Sequence, residues 1–172
     1  RRKTAPAFEV ALRLGAAFAG ADADLHEVLT KYSEALGIAY QIRDDIDDLV
    51  NADGDDLTTA RPAFPLAVAF ERAKGADKAL FEAVWTRTAG LEATMEAKEA
   101  ITRLGATDRA RQMMESYKEE AVRTLTDIHN PSLKGLLRRV VSKIFGVEVK
   151  GWCSEFEARN VASGAALAEV AR

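Results

Sequence analysis

The chain has 172 residues, with 24 Lys and Arg against 27 Asp and Glu for a net charge of −3. That size is one domain or part of a larger one, and that charge gives no general reason to expect a nucleic-acid partner. No stretch approaches the roughly 18 to 20 uninterrupted apolar residues of a membrane span, and the lone Cys153 excludes an internal disulfide and favours a reducing compartment.

Few prolines and few β-branched runs predict an all-helical protein. The chain opens RRKTAPAF, without an initiator methionine or a signal-like segment, and so reads as cut from a longer sequence. Thr4 followed by Pro6 marks a helix start, and the pattern predicts a helix over 5–19 that is apolar nearly all round, broken by Glu9 and Arg13. Such a helix is normally enclosed by neighbours on several sides, and its packing partners are expected to lie upstream of Arg1. A second helix is expected over 25–50, then a loop over 51–60 rich in Asn, Asp, Gly and Thr. Further helices are expected over 62–74, 77–104, 107–129 and 132–145, the last opened by Asn130-Pro131-Ser132. In 107–129, Met113, Met114, Tyr117, Ala121 and Leu125 form a core stripe. Residues 152–171 read as a further helical segment.

The second helix ends in QIRDDIDDLV, four aspartates in five positions of an otherwise apolar element. Aspartate is a poor helix former, and like charges three or four residues apart repel. At 100° per residue Gln41, Asp44, Asp45 and Asp48 share one narrow face, and Gly37 continues it one turn back. Ala35, Ala39, Ile42, Ile46 and Leu49 take the broad opposite side, while Arg43 and Asp47 fall on the far margin. A solvated acidic face is one reading. The other is a hard-cation site, because no Lys or Arg stands on that face and Gly37 leaves room beside the carboxylates. Magnesium suits this best, being held by one or two carboxylates together with waters and substrate phosphates.

Other chemistry is thin. An EF-hand with Gly54 at its sixth position would need oxygen ligands at Leu49 and Ala60, so that reading fails. His26 and His129 lack ligand spacing, and no P-loop, G-x-S-x-G or dinucleotide fingerprint is present. Lys134, Arg138, Arg139 and Lys143 make a basic stripe that reads as a solvated face.

Tyr40-Gln41-Ile42-Arg43-Asp44-Asp45-Ile46-Asp47-Asp48 resembles the second aspartate-rich motif, F-Q-x-x-D-D-x-x-D, of the trans-type isoprenyl (polyprenyl) diphosphate synthases, with Gly37 at the glycine that precedes it. Asp56-Leu57-Thr58-Thr59-Ala60-Arg61-Pro62-Ala63-Phe64-Pro65-Leu66 resembles their D-L-x-x-G-K-x-T-x-P-L segment. Lys3-Thr4 is similar to their K-T pair, and Tyr117 through Leu125 to their Y-x-x-x-A-x-x-x-L helix. The departures are Arg61 for lysine, Ala60 and Ala63 for glycine and threonine, Tyr40 for phenylalanine, and a shortened loop.

The resemblance implies an all-α, isoprenoid-synthase-type helical bundle, of which residues 1–148 are the C-terminal part, with 149–172 a helical extension of unknown role. It implies a cytoplasmic, homodimeric prenyltransferase of isoprenoid biosynthesis. Such an enzyme condenses isopentenyl diphosphate head-to-tail with an allylic diphosphate, using Mg2+. Asp44 and Asp48, assisted by Asp45, would then be metal ligands. Lys3 and Arg61 would hold diphosphate, and Thr4 and Gln41, with Lys3, would complete the catalytic set. The family's other aspartate-rich motif has no counterpart in these 172 residues, so the chain alone is expected to be inactive. The alternatives are a non-catalytic regulatory subunit of the same descent and a related terpene synthase. The K-T pair and the D-L segment count against the latter.

Overall fold

The computed structural model describes residues 4–50 and 63–146, and every regular element among them is helical. The elements are α1 (Ala5–Phe18), α2 (Ala23–Val50), α3 (Phe64–Arg72), α4 (Ala76–Trp85), α5 (Leu91–Arg103), α6 (Ala106–Thr124), a 3-10 turn over Leu125–Asp127, and α7 (Pro131–Phe145). The protein is all-α, as expected. The expected loop over 51–60 and the segment 152–171 lie outside the described residues, as do Lys3 and Arg61. Contacts divide the chain into two compact units, one of Arg1–Leu36 with Lys118–Arg172 and one of Gly37–Tyr117.

In the first unit, α1 begins where Pro6 has no N–H that needs an acceptor and the Thr4 carbonyl accepts from Ala7 and Phe8. It stops at Gly20, whose positive φ of 69° lets the Gly20 and Ala21 amides fold back onto the carbonyls of Ala17 and Ala16. Asp22 caps α2, its Oδ1 accepting from the Leu25 amide at 2.8 Å. Asn130 does the same for α7 at Leu133, at 3.1 Å, with Pro131 in the first turn. Leu29, Tyr32, Ser33 and Leu36 of α2 are buried, as are Ala121, Leu125, Leu137 and Val141. The Tyr32 hydroxyl donates to the Leu137 carbonyl at 2.9 Å, and burial raises its pKa. The expected enclosure of α1 is not found among the described residues. Only Ala5 and Ala16 are buried, while Val10, Leu14 and Phe18 stand 65%, 57% and 88% exposed along one stripe.

In the second unit, α3, α4 and α5 pack around Leu66, Ala69, Phe81, Ala97, Ala100 and Ile101, joined by Leu49 and Ala106. Alanines at the contacts let the helices approach closely while Phe81 fills the middle. The single helix expected over 77–104 is two, α4 and α5. Arg87 adopts φ 59°, and the Arg87 and Thr88 amides turn back onto Val84 and Ala83. The Thr86 and Thr88 hydroxyls also donate to the carbonyls of Glu82 and Ala83, beside the Thr86 amide on Glu82 and the Thr88 and Ala89 amides on Ala83. Arg72 closes the other end of α5, its Nη1 donating to the carbonyls of Leu104 and Gly105 at 2.9 and 3.0 Å. The helix expected over 107–129 ends at Thr124, where Thr124 and Thr126 hydroxyls donate to the Ala121 and Arg123 carbonyls.

Candidate functional site

The acidic segment is the C-terminal half of α2, and its apolar side is seated as the pattern predicts. Ala39, Ile42, Ile46 and Leu49 are buried. Ile42 and Ile46 form a cluster with Ala110, and Ile38, Phe64, Met113, Met114 and Tyr117 pack against it. The Met and Tyr stripe of α6 is therefore core, and it underlies the aspartates.

The four aspartates occupy three environments. Asp47 is exposed and sits 3.6 Å from Arg43, whose guanidinium also lies 4.7 Å from the Tyr40 ring centre. Asp44 is exposed and Asp48 half-buried, and neither makes a hydrogen bond or ion pair among the described residues. Partial desolvation pushes the Asp44 carboxyl above the usual carboxylate range, and the neighbouring Asp48 charge pushes the same way. Solvent at the exposed Asp44 moderates both effects.

Asp45 differs from both. It is only 7% exposed, and each of its oxygens accepts a hydrogen bond. Oδ1 takes Gln41 Nε2 at 2.7 Å, and Oδ2 takes the Phe64 backbone N–H at 2.8 Å. The face read as a uniform stripe therefore has two carboxylates toward solvent and one turned into the fold. Gly37 is buried. Thr4 stands at the cap of α1 in the other unit, and Lys3 and Arg61 are not described. The partner of Asp45 at Phe64 went unread in the sequence. A signal for it exists, since Phe64 opens α3 and its amide has no acceptor within the helix.

The donor set suits a small hard cation. Asp44 and Asp48 offer carboxylate oxygens without protein partners among the described residues, and the upward push on Asp44, from desolvation first and the Asp48 charge second, is one that a divalent ion beside them offsets. Among the described residues, no three His, Cys, Asp or Glu side chains converge as a metal cluster. Two carboxylates are what this face presents, a number that fits magnesium.

Residues 1–104 match the family model for polyprenyl synthetase. The chain belongs to that family. It is 27% identical over 154 residues to a geranylgeranyl diphosphate synthase of Methanosarcina mazei, covering 86% of this chain and 46% of that protein. It is 33% identical over 126 residues to a farnesyl diphosphate synthase of Escherichia coli, covering 72% and 36%. Among solved structures it resembles a geranylgeranyl pyrophosphate synthase of Corynebacterium glutamicum, itself complexed with isoprenyl diphosphate and magnesium. That match has a TM-score of 0.75 at 26% identity, over 84% of this chain and 44% of the other. A decaprenyl diphosphate synthase of Rhodobacter capsulatus aligns with a TM-score of 0.72 at 26% identity, over 83% and 45%. The chain spans less than half the length of these relatives. No helix among the described residues is long and apolar enough to cross a membrane.

Proposed function

We propose that the intact protein is a magnesium-dependent prenyltransferase that condenses isopentenyl diphosphate with an allylic diphosphate, head to tail. The observation that carries this is the pair Asp44 and Asp48, two carboxylates without protein partners among the described residues on one face of a polyprenyl synthetase α2. They would hold the magnesium, while Asp45 on the same turn has both oxygens engaged by Gln41 and Phe64. Magnesium, when bound, supplies the charge neutralisation that makes diphosphate a competent leaving group. Lys3 and Arg61 hold diphosphate oxygens as cations suited to phosphate. By the family resemblance Thr4 and Gln41 would be catalytic, their dipoles favouring positive charge that develops on the allylic carbons.

The sequence contains a single D-D-x-x-D, so on this reading the 172 residues alone do not turn over and need a second acidic cluster to complete the site. The intact protein works as a cytoplasmic homodimer.

The test is condensation of a labelled allylic diphosphate with isopentenyl diphosphate by the intact protein. Asp44→Ala is expected to lower kcat/KM by at least about 10²-fold. Near-normal turnover in that variant would overturn the metal assignment. Absence of turnover in the wild type would favour a non-catalytic helical subunit.

A further inference from the structure

Asp45 is a buried carboxylate with both oxygens engaged, and each engagement has a distinct consequence. A carboxylate only accepts hydrogen bonds, so the Gln41 atom facing it at 2.7 Å is the amide nitrogen. That fixes which way round the Gln41 amide sits, and with it the direction of its dipole. The second oxygen meets the Phe64 N–H at 2.8 Å, at the first residue of α3. Ala63 has the extended backbone of a helix cap (φ −93°, ψ 143°) but no side-chain oxygen to offer. A carboxylate brought in from α2 satisfies the Phe64 donor, which a cap side chain at 63 would not reach, and its charge suits the positive end of the helix.

We propose that Asp45 is a positioning residue rather than a metal ligand. One carboxylate orients the Gln41 amide and caps α3, leaving Asp44 and Asp48 to hold the cation. The first role rests on the proposed function, since Gln41 matters to the rate only if it faces the reacting carbons. The capping role does not. Groups that orient a ligand or catalytic side chain are commonly as sensitive to substitution as the groups they orient, so a loss of activity by itself cannot separate the two accounts. The variants below do.

The experiment compares Asp45→Asn, Asp45→Ala and Asp44→Asn in the intact protein. It reads Mg2+ affinity by calorimetry, Phe64 amide exchange by NMR, and kcat. An asparagine keeps one acceptor for Phe64 but then presents its amide nitrogen to Gln41, which must turn its own oxygen round to meet it. Asp45→Asn is expected to keep Phe64 protected, leave Mg2+ affinity within about threefold, and lower kcat about 10- to 100-fold, the worth of one hydrogen bond to a charged group. Asp45→Ala is expected to speed Phe64 exchange at least about tenfold. Adding Ala63→Ser to Asp45→Ala supplies an oxygen to the Leu66 amide, since Pro65 has none, and so it should leave Phe64 exchange fast and kcat low. Asp44→Asn should lose Mg2+ affinity with Phe64 still protected.

If Asp45→Asn weakens Mg2+ as much as Asp44→Asn does, Asp45 is a ligand and the proposal falls. Unchanged Phe64 exchange in Asp45→Ala would overturn the capping role. Should the wild-type protein transfer no prenyl group, the functional reading fails by itself, and the exchange and magnesium measurements still decide Asp45.

Discussion

Phe18 on α1 and Phe81 on α4 are the same side chain at opposite limits, 88% exposed and fully buried. Each belongs to a helix with an apolar stripe. The difference lies in what stands opposite. Phe81 sits among Ala69, Ala97, Ala100 and Ile101, residues small or shaped enough to close around it. Val10, Leu14 and Phe18 stand largely exposed instead. The acidic half of α2 shows the converse. Asp45, a residue type seldom found inside, is buried because Gln41 and Phe64 supply its hydrogen bonds, while its neighbour Asp44 stays out. Burial follows the partner rather than the residue.

The contrast can be broken by substitution. Phe81→Ala is expected to cost about 3–5 kcal/mol by chemical denaturation, because the helices around it can collapse only partly onto the void. A cost near zero would mean that the α3–α5 cluster is not close-packed.

Tyr32→Phe comes next, at about 0.5–1.5 kcal/mol, since it removes the buried hydrogen bond to the Leu137 carbonyl. The same residue gives a pH signature. Burial raises the Tyr32 pKa, so its contribution is complete below the ordinary tyrosine value of about 10 and is lost as pH rises beyond it. The alkaline loss of stability should therefore be shallower in Tyr32→Phe, and an unchanged alkaline profile would argue against a buried hydroxyl.

Asp44→Asn is expected to raise the metal-free melting temperature slightly at neutral pH. The Asp44 carboxyl is pushed up by desolvation and by Asp48, so its ionised form costs the fold and its protonated form does not. The advantage should shrink as pH falls toward the ordinary carboxylate value of about 4, where the wild-type group protonates too. A constant advantage across that range would remove the electrostatic explanation.

The smallest effect belongs to Phe18→Ala, within about 0.5 kcal/mol on the 172-residue chain. A larger loss would show that something covers α1 in solution.

Much of this was legible in the sequence. The 3.6-residue period placed α1, α2, α6 and α7, and Pro6 and the Asn130-Pro131 pair marked two starts within a residue or so. The stripe geometry separated Asp47 from Asp44 and Asp48, and the motif order matched the family that residues 1–104 belong to. The break between α4 and α5 was hidden because the residue that turns left-handed is Arg87, with the nearest glycine at Gly90. Punctuation by glycine is a local signal, whereas this turn is held by hydroxyls bonding backward to carbonyls of the preceding turn.

The sequence by itself determined the helical class, the family and the face on which the carboxylates gather, because period and motif spacing are properties of the chain alone. Tertiary structure decided which carboxylate faces solvent and which is held by protein. Asp44 and Asp45 are adjacent and chemically identical, and 100° of rotation about α2 is all that separates them. What distinguishes them is the Phe64 amide, 19 residues further along, which only the folded chain brings within 2.8 Å of Asp45.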